Sequence, residues 1–180
     1  MHRIVIIGSS GAGKTQLAER LAYALDAPFV ELDALFWEPD WVEPPEDAFA
    51  ARIAAATAGD RWVAAGNYRR YGASLLWPRA DRIVWLDLPL HVTLARLVRR
   101  TWRRWRRHEV LWGTNVERFW PQLRLWDPKA SLVAYSVMTH RQRRQQYLDA
   151  MRDPAFASRF VRLTSAPEVE AFARAVEARS

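Results

Sequence analysis

Residues 8–15 read Gly8-Ser9-Ser10-Gly11-Ala12-Gly13-Lys14-Thr15, a full match to the spacing G-x-x-x-x-G-K-[ST]. Glycine lets the main chain curl until successive N–H groups face one point, which makes a nest for an anion. A helix starting at that point adds the positive end of its dipole. Lysine suits such a nest, because an ammonium is a compact charge on a thin stem whereas a guanidinium is a broad planar fork. The choice is specific in this chain, which holds twenty-five arginines and two lysines, Lys14 and Lys129. The expected chemistry is capture of a nucleoside triphosphate. The amides of residues 11–15 would take the β-phosphate, Lys14 would bridge the β- and γ-phosphates, and Thr15 would offer its hydroxyl to Mg²⁺. The cradle assigned on this pattern is Gly8, Ser10, Gly11, Ala12, Gly13, Lys14, Thr15 and Gln16.

The elements on either side are those the loop requires. Ile4-Val5-Ile6-Ile7 is an apolar β-branched run of the kind that fills a strand buried on both faces. Leu17, Leu21 and Leu25 then recur at helical spacing. Further strands are expected at residues 28–32, 61–65, 82–86 and 160–163. Helices are expected at residues 46–58, 90 to about 105, 131 to about 151, and 167–178. Strands alternating with helices imply a parallel sheet covered on both faces, an α/β sandwich, whose ligands lie at the carboxyl ends of the strands. Asp33, Asn67 and Asp87 follow strand ends and so fall on the same edge as the loop. Asp33 and Asp87 are candidates to hold magnesium with Thr15, and Asp33 also to serve as a base. A helix cap for Asp33 and a structural hydrogen bond for Asp87 are the competing readings.

Composition narrows the class. The chain has 180 residues, half of them hydrophobic, which fits one domain with a substantial core. It has no cysteine, so neither a disulfide framework nor a thiolate zinc site is available. No apolar run is long enough for a membrane span or a signal-peptide core, and a cytoplasmic location is the default expectation. The net charge of +7 is local: seven arginines and no acid lie between Arg96 and Arg107, and the rest of the chain balances. A guanine-reading N-K-x-D motif is absent, because the one lysine outside the loop, Lys129, follows Pro128.

With these residues in view, the sequence resembles the adenylate-kinase-like family of small P-loop kinases. It is most similar to the branch that carries the names adenylate kinase and DNA topology modulation protein. The matching segments are GSSGAGKTQLAERLA, ELDALFWEPDWVEP, DRWVAAGNY and ADRIVWLDLP with ARLVRR. HEVLWGTNVERFW and THRQRRQQY resemble a subgroup of that branch. The resemblance implies a P-loop sandwich with five parallel strands in the order 2-3-1-4-5 and a substrate-side helical segment after strand two. It implies a lid after strand four, placed at about residues 99–126 within a single domain of residues 1–180. It also implies Mg·ATP as donor and an arginine pair leading into the lid, here Arg96 and Arg100, which lie at i and i+4 and could brace the transferred phosphoryl group. The loop at residues 164–168 would border the adenine ring. One departure stands out: the carboxylate that members carry in strand three is replaced by Ala65, so the magnesium carboxylate must come from elsewhere.

The expected activity is transfer of the γ-phosphate of Mg·ATP to a small-molecule acceptor, with nucleotides among the candidates. Lys14, Asp33, Arg96 and Arg100 would be catalytic. Asp33, Trp37, Asn67, Glu109, Asn115 and Arg141 would face the acceptor, although Glu109 and Asn115 could equally pair with the neighbouring arginines. Five of the ten tryptophans fall between Trp102 and Trp126, within or just after the arginine run. Arginines interleaved with indoles fit a lid that covers charged substrates, a packed and solvated surface, or a nucleic-acid partner bound through phosphates and stacking.

Overall fold

In a computed structural model that describes residues 2–124, 126–128 and 130–178, the apolar runs become the strands of one parallel sheet. These are β1 (Arg3–Gly8), β2 (Phe29–Glu31), β3 (Trp62–Ala65), β4 (Arg82–Leu86) and, after the short strands β5 (Val110–Leu111) and β6 (Asn115–Val116), the strand β7 (Phe160–Leu163). The sheet order is β2-β3-β1-β4-β7, which is the order 2-3-1-4-5 when the strands of this sheet alone are numbered. β1 lies in the middle, its Ile6 level with Ala65 and its Gly8 level with Leu86.

Successive side chains of a strand point to opposite faces, and β1 supplies both cores in this way. Ile4 and Ile6 pack with Leu17 and Leu21 of α1 (Lys14–Ala24) and with Ala173 and Val176 of α7 (Ala166–Glu177). Val5 and Ile7 join Phe49 and Ile53 of α3 (Glu46–Ala56) and Tyr147 of α6 (Leu132–Arg152) on the other face. Far from the loop, Arg20 of α1 holds Glu170 and Glu177 of α7 at 2.6 and 2.5 Å. No helix among the described residues is long and apolar enough to cross a membrane.

The connections hold elements that periodicity did not show. The second strand stops at Glu31, and α2 (Leu32–Phe36) follows at once, so Asp33 stands in the first turn of a helix rather than at a strand end. The short helix α4 (Arg69–Tyr71) runs into a π-turn at Gly72–Leu76. Helix α5 (Leu90–Arg106) continues into the segment expected to be lid, and β5 and β6 form an antiparallel hairpin beyond it.

Candidate functional site

The loop folds as its glycines require. Gly11 has φ +81°, and a Cβ there would sit 2.2 Å from the Thr93 carbonyl oxygen of α5. Gly13 precedes α1 with φ +95°. The amides of Gly11, Gly13, Lys14 and Thr15 find no acceptor among the described residues, the usual state of a helix's first turn and the one that lets an anion bind. The Lys14 ammonium folds back and donates to Gly8 O at 2.9 Å and Ser9 O at 3.1 Å. Burial pushes its pKa down to about 8, against the attraction of Asp33; Arg100 and Arg143 add to the depression. Asn67, just past β3, accepts from the Gly8 amide at 3.0 Å and so ties the entry of the loop to the neighbouring strand.

The carboxylate nearest the Thr15 hydroxyl is one that the sequence reading passed over. Glu31 ends β2 and lies in register with Ala65 on the adjacent strand. Its Oε1 accepts from Thr15 Oγ1 at 3.3 Å. Glu31 thus lies one strand over from Ala65, at the same level of the sheet. Thr15 and Glu31 are both hard oxygen donors, and Mg²⁺ in such sites needs one or two protein oxygens beside phosphates and water, so the pair fits that ion. Among the described residues there is no cluster of three or more His, Cys, Asp or Glu side chains that would hold a metal without a substrate.

Asp33 stands on α2, and its charge acts on both Lys14 and the Tyr68 hydroxyl. Burial first, and then the charge of Asp33, raise the pKa of that hydroxyl above its ordinary value, so Tyr68 stays a donor. Asp87 is placed differently. Its side chain is 7 % exposed and held by Arg162 at 2.5 Å and Arg144 at 3.2 Å. Arg162 also lies over the Trp85 ring. Asp87 thus joins β4, β7 and α6, and two guanidiniums occupy the oxygens that a metal would use.

The arginines of α5 separate by face. Arg100 is half-buried. Burial lowers its proton affinity and Arg104 adds to this, while Glu117, Asp33 and Glu31 work against it. Its Nε has no hydrogen-bond partner among the described residues. Arg96, one turn earlier, is exposed. Arg104 holds Glu117 at 2.9 Å and Glu109 at 3.2 Å, so Glu109 is engaged with an arginine. Asn115 faces main chain: its Oδ1 accepts from Trp41 N at 2.9 Å and its Nδ2 donates to Glu38 O at 3.0 Å. Trp37 stacks edge-on between Phe36 and Trp41.

Next to the cradle lies a cleft of about 500 Å³ between Asn67, Arg70 and Ala73 on one side and α6 on the other. Tyr135, Thr139, Gln142, Arg143, Gln146 and Tyr147 complete its wall. Arg143 bonds the Tyr135 hydroxyl at 2.9 Å. Arg141 is exposed and is not part of this wall.

Comparison with solved structures identifies the frame. A gluconokinase from Sinorhizobium meliloti matches over 99 % of this chain and 92 % of its own, at 23 % identity and a TM-score of 0.54. An unliganded sugar kinase from Janibacter matches over 99 % and 91 %, at 17 % identity and a TM-score of 0.51. A shikimate kinase from Acinetobacter baumannii, in complex with shikimate, reaches a TM-score of 0.48 at 17 % identity, over 98 % of this chain and 90 % of its own. The chain has the fold of small P-loop kinases. No protein-family model and no curated protein matches its sequence.

The sequence reading missed Glu31, Tyr68 and Trp112. The one local signal for Glu31 is its position at the carboxyl end of an apolar run, the edge on which ligands of parallel sheets lie. Trp112 donates from Nε1 to Glu31 Oε2 at 3.0 Å, a contact that spans 81 positions and leaves no local trace.

Proposed function

We propose that the chain is an ATP-dependent phosphotransferase that moves the γ-phosphate of Mg·ATP to a hydroxyl of a small-molecule acceptor. The observation that carries this reading is the complete phosphate loop at the carboxyl edge of the sheet, with Lys14 held at the Gly8 and Ser9 carbonyls and Thr15 bonded to Glu31, and with the charges of Asp33 and half-buried Arg100 acting on Lys14. An anchor for the donor, a cation for the developing charge and a base for the acceptor then share one site. The kinase names of the fold neighbours support the coarse reading.

In this scheme the amides of residues 11–15 and Lys14 hold the β- and γ-phosphates. Thr15 and Glu31 hold Mg²⁺, which would neutralise phosphate charge. The acceptor lies in the cleft beside Asn67. Its hydroxyl oxygen forms the new bond to the γ-phosphorus, the bond to the β–γ bridging oxygen breaks, ADP leaves, and the hydroxyl proton passes to Asp33. Tyr68 holds the Asp33 carboxylate in place. Arg100 stabilises charge on the transferred oxygens, and Arg143, on the cleft wall, reaches the same group or an anionic part of the acceptor. Asp87 serves as a strut. The segments around residues 31–45 and 108–120 keep the likeness to the DNA topology modulation branch within this proposal, with the region from about residue 99 to 126 as its lid and the cytoplasm as its setting.

A screen of hydroxylated acceptors with Mg·ATP, read as ADP release above background hydrolysis, tests the reading. Transfer that depends on an acceptor and vanishes in Lys14→Ala supports it. Full transfer by Lys14→Ala would refute it.

A second reading rests on one further observation. Arg99, Arg103, Arg106 and Arg107 are exposed on α5 beside Trp102, which is 42 % exposed. None of the four has an ion-pair partner among the described residues. Such a face fits the phosphates and bases of a nucleic-acid strand. It predicts steeply salt-dependent oligonucleotide binding that is lost in the fourfold alanine variant.

A further inference from the structure

The hairpin at residues 110–116 is tied to the candidate metal site and to the acceptor-side segment at once. Glu31 has two carboxylate oxygens, and each is claimed from a different direction. Thr15 of the cradle donates to one at 3.3 Å, and Trp112 of the hairpin donates to the other at 3.0 Å. Trp112 makes this contact from the left-handed region, with φ +49°, ahead of Gly113 at φ +90°. A bulky residue enters that region only where surrounding contacts hold it there, and such positions gather at functional sites.

The holding contacts come from the segment after α2. Asn115 is 1 % exposed and spends both ends of its amide on the main chain of Glu38 and Trp41. Trp41 is itself left-handed, with φ +61°; its ring meets that of Trp112 edge-on at 5.7 Å, and its Nε1 reaches Val116 O at 3.4 Å. A buried amide bonded at both ends favours one arrangement, because its loss leaves those polar groups unpaired.

We propose that Trp112 is a positioning residue for the Glu31 carboxylate, and that Asn115 is the latch that keeps Trp112 in place. This inference rests on the reading of Thr15 and Glu31 as the Mg²⁺ side of the site. The indole N–H restrains one oxygen of Glu31, so the other faces Thr15 and the phosphate mouth. Through Asn115 this restraint depends on the segment at residues 38–41, which follows the helix bearing Asp33. Disorder on the acceptor side then releases the metal-side carboxylate, and the two halves of the site become ready together.

The readout is binding rather than turnover. ADP affinity is measured by calorimetry with and without Mg²⁺, and the ratio of the two affinities is the metal's contribution. Trp112→Phe keeps the ring and removes the N–H; it should reduce that ratio about tenfold while metal-free ADP affinity stays unchanged, since outer-shell partners of metal ligands carry effects of this size. Asn115→Asp, which keeps shape and removes the donor to Glu38 O, should act in the same direction. Glu31→Gln should reduce the ratio at least as far, and Trp112→Phe added to it should cost nothing more. Thermal unfolding of each variant checks that the fold persists. An unchanged ratio in folded Trp112→Phe, or full additivity with Glu31→Gln, overturns the proposal. Because no acceptor is involved, a failed acceptor screen leaves this outcome readable.

Discussion

The phosphate cradle and the segment from α5 through the hairpin meet at the same site and are built by opposite means. The cradle falls within nine contiguous residues, 8–16, mostly small, and its shape depends on a close approach of Gly11 to α5. The other region spreads over more than twenty residues and works through long side chains: half-buried Arg100, the Arg104 pairs with Glu109 and Glu117, and Trp112 in left-handed backbone. The first suits the constant part of the proposed donor, its polyphosphate, and is set mainly by its own residues, with Asn67 and Thr93 as outside supports. The second surrounds what varies, and its parts fix each other over long sequence distances.

The largest expected effect lies on the cradle side. Lys14→Ala should remove phosphoryl transfer, read as acceptor-dependent ADP release. Arg100→Ala should cost about 10³-fold in kcat, the scale of arginines that meet a transferred phosphoryl group. If the exposed Arg103 and Arg106 were as costly to remove, the division of α5 into an inner and an outer face would fail. Gly11→Ala should destabilise the fold by about 2 kcal/mol or more, measured by denaturant unfolding, because φ and the Thr93 carbonyl both oppose a methyl group. The pH response of Lys14 comes next. Its pKa of about 8 means that the ammonium is charged below that pH and neutral above it, so nucleotide affinity should decline above about pH 8. Phosphate binding favours the charged form, so ADP binding near that pH should take up protons, visible by calorimetry in buffers of different ionisation enthalpy. The smallest effect is expected for Arg103→Ala with Arg106→Ala, within about twofold of the parent in small-molecule transfer, as for surface positions in general.

The contrast also explains what could be read from sequence. The cradle was legible because the motif, the strand before it and the helix after it are all local. The strand order followed from the resemblance, and the sheet agrees with it. Asp33 was placed correctly near the loop but on a strand end; the apolar run Phe29 to Leu32 gave no sign that a helix begins at Leu32. Glu31 was overlooked because its value depends on register: only the pairing of β2 with β3 sets it level with Ala65. Asn115 was noticed as a polar residue among aromatics, but its partners lie 74 and 77 positions away, and no local pattern names them.

Scarcity of lysine has a practical consequence. An amine with a pKa near 8 is more often unprotonated at mild alkaline pH than an ordinary surface lysine, and this chain has one other lysine and its α-amine, which falls in a different tryptic fragment, to compete with it. An amine-directed acylating probe should therefore mark the phosphate site in preference to the surface, and a bound nucleotide should shield it. Occupancy of the cradle could then be followed as the mass of one tryptic fragment, with no knowledge of any acceptor.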